Sequence, residues 1–149
     1  MQNSVSLGRY VKKRNGVALG ATGSMRNMLS RSLGAGEFAA FWHYWNPIWG
    51  FYLSRNVMRP LNAFLPNWLA VLLTFMVSGA IHDAAVSLAK WKAIFFFTPW
   101  FLLMGLVVII SKYLSLSYHT YPWTIRCAIN LFFIAFTLWL TIFLENSYV

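Results

Sequence analysis

The run Asn67–Ala89, NWLAVLLTFMVSGAIHDAAVSLA, is long and apolar enough to cross a bilayer as one helix, because a span needs about 17–25 mostly apolar residues. Two similar runs follow, Ala93–Ser111 and Thr124–Leu144, joined by Lys90–Trp91–Lys92 and by the polar stretch Lys112–Trp123. The whole chain is 59% hydrophobic and only 10% charged over 149 residues, whereas a soluble domain carries about 25% charged residues. So few charges cannot cover a water-facing surface, and a lipid-facing one needs none. The sequence therefore predicts an all-α membrane protein with three transmembrane helices, over 67–89, 93–111 and 124–144.

Upstream of these runs the pattern changes twice. Residues 1–23 are polar and basic, with Arg9, Lys12, Lys13 and Arg14, and are expected to form an arm that is mobile or lies on the surface. Residues 24–149 are expected to form a single membrane domain. In it, Met25, Met28, Leu29 and Leu33 fall at helical spacing with Arg26 and Arg31 off that stripe, which reads as a basic amphipathic helix at the membrane surface. Gly34 and Gly36 then end it. Phe38–Leu61 is dense in aromatic residues but too polar for a simple span, and Trp and Tyr favour the headgroup level. Pro47 biases Asn46 away from helical dihedrals. One helix is expected to end near Asn46, and a second to run from about Trp49 to Met58 in or dipping into the interface, closed by Pro60. The segment 24–62 is thus interfacial or re-entrant.

The net charge of +9 and the pI near 10.1 raise nucleic acid as a partner. The distribution argues against it: eight of the twelve Lys and Arg precede Pro60, and the others flank apolar runs. Such placement suits anionic membrane lipids. Ten cations on the side of the N-terminus against two at Lys90–Lys92 predict a cytoplasmic N-terminus. The first 35 residues contain no apolar core of signal-peptide length, and with the small size this leads us to expect a multi-pass protein of a bacterial inner membrane. The lone Cys127 rules out an intrachain disulfide and reads as a small buried hydrophobe.

Most catalytic chemistries lack their residues. His43, His82 and His119 are far apart in sequence and join no Cys or carboxylate at metal-ligand spacing, so no metal is expected. There is no phosphate-cradling glycine loop and no G-x-S-x-G elbow. Glu37, Asp83 and Glu145 are the only carboxylates. What remains is His82, fifteen residues into the first run, with Asp83 beside it. A charge at the bilayer centre costs at least about 2.5–3.5 kcal/mol, so this pair should face protein or a wet cavity. Ser78 shares the His82 face four residues earlier, and Gly79 leaves room for a close neighbour or a substrate chain. Taken alone, His82 could simply hydrogen-bond another helix, and Asp83 could pair with Lys90 or Lys92.

A longer pattern bears on that choice. Phe41-Trp42-His43-Tyr44-Trp45-Asn46-Pro47 continues as Gly50-Phe51-Tyr52-Leu53 and Arg59-Pro60-Leu61, and then as Met76-Val77-Ser78-Gly79-Ala80-Ile81-His82-Asp83. This order, with 36 residues from Asn46 to His82, resembles the signature region of the membrane-bound O-acyltransferases. The resemblance implies His82 as catalytic base and Asn46 as the residue that helps position the acyl thioester. It implies acyl-CoA as a co-substrate, with no bound cofactor, and a hydroxyl or sometimes an amine as acceptor.

General physics is compatible with those roles. A neutral imidazole can take the proton of an attacking hydroxyl, an aid worth about 10²–10⁴-fold. An Asn amide at a broken helix end can meet an oxyanion. Arg55 and Arg59 could contact CoA phosphates or lipid headgroups, and Trp45 could contact substrate or anchor the interface like Trp42 and Trp49. Ser78 and Asp83 complete the expected substrate-contacting set. Family members are much longer than this chain, which resembles only their catalytic C-terminal part. Three helices cannot enclose a chamber, so a homo-oligomer or partner membrane subunits are expected, with Asn130 available to bond between helices. A non-catalytic membrane subunit that keeps the motif is the alternative.

Overall fold

The structure, a computed structural model, describes residues 5–147, and every regular element among them is helical. In chain order these are α1 (Leu7–Asn15), α2 (Ser24–Leu33), α3 (Phe38–Tyr44), α4 (Pro47–Leu53), a π-helical turn (Ser54–Met58), α5 (Arg59–Asn62), α6 (Asn67–Lys90), α7 (Phe97–Tyr113) and α8 (Trp123–Ser147). Two of them, α6 and α8, are long and apolar enough to cross a membrane, while α7 is apolar and shorter. Only 22% and 17% of the apolar windows of α6 and α8 are buried within the chain. The core helix of a soluble domain would hide most of such a surface.

The basic arm is not simply an arm. Ser6 Oγ caps the Arg9 amide of α1, and Gly16 ends the helix in the left-handed region at φ 82°. Val11 and Asn15 are buried. Asn15 Nδ2 donates to both the carbonyl and the hydroxyl of Ser24, at 3.0 and 2.8 Å, and Tyr10 packs edge-on against Phe51 of α4. Nine residues are too few for a stable isolated helix, so it is tertiary docking that holds α1. The amphipathic helix lies at Ser24–Leu33, where it was expected. Gly34 follows it and leaves space for the Trp123 indole, whose Nε1 donates to Ser30 O at 2.9 Å.

Pro47 occupies the first turn of α4, where its missing N–H costs nothing, so α4 begins two residues earlier than expected. Pro60 does not close the helix. Its ring would collide with the carbonyl four residues back in a regular α-helix. The backbone instead widens into the π turn Ser54–Met58, with the Arg59 N–H reaching Ser54 O, and runs on into α5.

Helices α6 and α7 pair antiparallel: Gly79 meets Phe97 at one end, and Gly105 meets Leu72 and Phe75 at the other. A Cβ on Gly79 would lie 2.6 Å from the Phe97 carbonyl oxygen and 2.7 Å from Thr98 Cα. These are backbone atoms that cannot swing aside, so the neighbour Gly79 makes room for is α7 itself. Gly79→Ala is expected to lower stability by about 2–3 kcal/mol, read as thermal unfolding in detergent. A midpoint equal to wild type would refute the close approach.

A core of Ala35, Phe38, Phe41 and Val108 joins α3 to α7, with Phe133 of α8 against Phe38. Asn130 of α8 is fully buried. Its Nδ2 donates to Leu33 O and Ala35 O, both at 2.9 Å, and its Oδ1 accepts from the Tyr118 hydroxyl at 2.6 Å. Burial, and secondarily Glu37, pushes the Tyr118 pKa up, which keeps that hydroxyl a donor. Asn130 therefore fastens α8 to the α2–α3 connection inside one chain, and its hydrogen-bonding groups are engaged there rather than with another subunit.

Candidate active site

Asn46 stands at the break between α3 and α4. Its φ of 39° and ψ of 72° lie in the left-handed region, which Asn tolerates better than most side chains. Its Oδ1 accepts from the Trp49 amide at 3.2 Å and so caps α4. With the oxygen engaged, the amide NH₂ is the part of Asn46 left to donate. Its backbone N–H reaches Met28 Sδ at 3.3 Å.

His82 is half-buried on α6 among aromatic rings: Phe101 at 5.0 Å, Phe97 at 5.7 Å and Trp49 at 6.1 Å between centroids. Its Nδ1 lies 2.7 Å from the Ser78 carbonyl oxygen. A carbonyl only accepts, so Nδ1 carries the proton, and in the neutral ring the lone pair belongs to Nε2. The turn of α6 thus fixes both the tautomer and the orientation of the imidazole.

Trp49 links the two. Its Nε1 donates to Ser78 Oγ at 3.0 Å, while its backbone amide is the one capped by Asn46. Asn46, Trp49, Ser78 and His82 therefore form one connected set across α4 and α6. Sequence reading set Trp49 aside as an interfacial anchor and did not single out Phe97 or Phe101. A partner 29 residues away leaves no local signal. Trp49→Phe and Ser78→Ala are each expected to cost about 1 kcal/mol, and the double variant little more than either. Additive losses in that cycle would show that the two side chains are not coupled.

Asp83 does something other than expected. It is buried at 5% exposure and points into the start of α7. Oδ1 accepts from the Phe96 and Phe97 amides, both at 2.8 Å, and Oδ2 from the Thr98 amide at 2.8 Å and the Thr98 hydroxyl at 2.6 Å. Its carboxylate is thus the N-terminal cap of α7, supplied from another helix, and is neither paired with Lys90 or Lys92 nor open to a substrate. Consecutive helical residues do not face the same way, which separates Asp83 from the His82 ring. The cap also explains why α7 starts at Phe97 rather than Ala93. The preceding residues run across α6, with the Ile94 amide donating to Ser87 Oγ at 2.8 Å.

The remaining expected contacts lie elsewhere. Trp45 is 37% exposed and stacks on Phe41 at 5.5 Å. Arg55 and Arg59 line a cleft of about 220 Å³ between α1 and α4 with its π extension, together with Lys13, Arg14 and His43. Burial lowers the His43 pKa, and Arg14 and Lys13 push it in the same direction. A buried N–H without a partner belongs to Trp42, whose ring lies 6.4 Å from that of Phe101, on which His82 also rests. Searches of family models, curated proteins and solved structures yield no match to the chain.

Proposed function

We propose that the protein is a multi-pass membrane acyltransferase, moving an acyl group from acyl-CoA to a hydroxyl acceptor with His82 as general base. The observation that carries this reading is the fixed imidazole: Nδ1–H is held by the Ser78 carbonyl, which leaves Nε2 as the basic nitrogen in an aromatic recess. Nε2 takes the acceptor's proton as the hydroxyl oxygen attacks the thioester carbon. The oxyanion that forms would draw on the Asn46 amide NH₂. Collapse breaks the carbon–sulfur bond, and the departing thiolate recovers the proton from Nε2. The aromatic walls exclude water, which would otherwise compete for the thioester. The order of motifs around Asn46 and His82, similar to that of the membrane-bound O-acyltransferases, supports the same chemistry.

On this reading α6, α7 and α8 cross the membrane, with the N-terminus cytoplasmic. They are too few to enclose a reaction chamber, so further copies or partner membrane subunits complete it. Arg55 and Arg59 meet the phosphates of CoA, and Trp45 remains a candidate substrate contact at the surface. A second reading, a non-catalytic membrane subunit, draws support from Asn46 and Asp83, which both serve as helix caps. The deciding experiment supplies labelled acyl-CoA and a panel of lipid alcohols to the detergent-purified assembly. Labelled ester is the expected product. Its absence, in an assembly of verified size and fold, would overturn the enzyme reading.

A further inference from the structure

The cleft beside α1 takes none of its lining from α6, α7 or α8, so it lies outside the long apolar helices. Four of its lining residues are cations, Lys13, Arg14, Arg55 and Arg59, and no carboxylate stands among them. The three carboxylates of the sequence lie elsewhere: Glu37 is 3.4 Å from His119, Asp83 caps α7, and Glu145 is near the end of α8. The mutual repulsion of these cations therefore has no anionic counterpart from the protein's own side chains.

One of the four is held in place. Arg14 Nη1 donates to His43 O at 2.8 Å, and its Cζ sits 4.3 Å over the Tyr10 ring. Its backbone carbonyl accepts from Arg31 Nη1 at 3.0 Å, which ties α1 to α2. A guanidinium fixed in this way loses little freedom when it binds an anion. Burial lowers the Arg14 pKa, a sign that its charge is only partly hydrated. Arg55 and Arg59 arrive on the π turn and on the first residue of α5, and such widened turns occur frequently at functional sites. Tyr10 and Ser54 add hydroxyls to the lining. Several cations and hydroxyls converging on one small cleft suit a tetrahedral, multiply charged oxyanion better than a single carboxylate.

We propose that this cleft binds a phosphate ester, with Lys13, Arg14, Arg55 and Arg59 as its cationic wall and α1 as the element that completes it. The proposal rests on the cleft alone and holds whether or not His82 is a base. The phosphate can belong to a soluble ester, the CoA phosphates among them, or to the headgroup of an anionic lipid. The two sources share their chemistry and differ in how they reach the site.

The test uses the full chain. In neutral detergent, inorganic pyrophosphate is titrated against thermal unfolding, with sodium chloride at matched ionic strength as reference. In parallel, the protein is placed in nanodiscs of phosphatidylcholine with or without phosphatidylglycerol. Wild type and Lys92→Gln are compared with Arg14→Gln/Arg59→Gln. Stabilisation by pyrophosphate, weakened about tenfold in apparent affinity in the double variant, supports the site and a soluble ester as its ligand. Stabilisation by phosphatidylglycerol alone, lost in the double variant and kept in Lys92→Gln, supports the site and a headgroup. No stabilisation by either probe, or equal stabilisation of all variants, overturns it. Should the double variant fail to fold, Lys13→Gln/Arg55→Gln, both exposed, takes its place with the same expected outcomes.

Discussion

Asp83→Asn is expected to destabilise the folded protein by about 3 kcal/mol, seen as a large fall in the unfolding midpoint in detergent. The native carboxylate accepts four hydrogen bonds from three consecutive residues, Phe96 just before α7 and Phe97 and Thr98 in its first turn. Bonds to an ionised acceptor are about twice as strong as neutral ones. The negative charge also opposes the positive end of the α7 dipole. An amide of the same shape keeps one oxygen and turns an NH₂ towards the other donors. With Oδ1 kept, the Thr98 amide faces another donor and is left buried without an acceptor, a loss of about 1–3 kcal/mol by itself. With Asp83 only 5% exposed, no water replaces the missing bonds. Asp83→Glu should also lose stability, because the longer side chain moves the carboxylate out of register. An Asp83→Asn protein as stable as wild type would show that the cap is not what fixes α7.

His82→Ala is expected to lower the rate of acyl transfer by about 10²–10⁴-fold while leaving the fold intact. The one hydrogen bond that the ring makes, to Ser78 O, goes to a carbonyl that still takes the backbone N–H of residue 82 within α6, so no buried group is orphaned. That separates this variant from Asp83→Asn, whose effect would be structural. His82→Gln sharpens the comparison: it keeps a donor in place of Nδ1–H but offers no basic nitrogen at neutral pH. Both variants should therefore lose turnover together. Full turnover by either one, in an intact assembly, would remove His82 from the role of base.

The parts of the fold that the sequence made legible are those written in composition and in local chemistry. α6 begins at the residue where the apolar run begins and ends one residue beyond it. The Asn46–Pro47 break is where a proline and a residue tolerant of the left-handed region stand together. The parts that escaped are those in which one segment supplies what another lacks. α1 is too short and too polar to announce itself, and it folds because Asn15 and Tyr10 find partners on α2 and α4 and Val11 is buried. α7 is cut short because its cap is carried by α6. Trp49 looks like any interfacial tryptophan until its N–H is traced to Ser78. His82 and Asp83 read as a pair contacting one site, although two neighbours on a helix point about 100° apart. That much could have been excluded beforehand.

Asn130 has a consequence for how the protein is made. The carbonyls of Leu33 and Ala35 rely on an amide that comes 97 and 95 residues later in the chain. Ribosomes add about 5–20 residues per second, so these groups wait on the order of 5–20 s for their partner. During that interval the α2–α3 connection and the Phe38 side of the core lack α8. The last helix therefore acts as a latch on the first third of the chain. A nascent protein cut off before residue 130 would leave the Leu33 and Ala35 carbonyls without this partner, however completely its N-terminal helices had been synthesised.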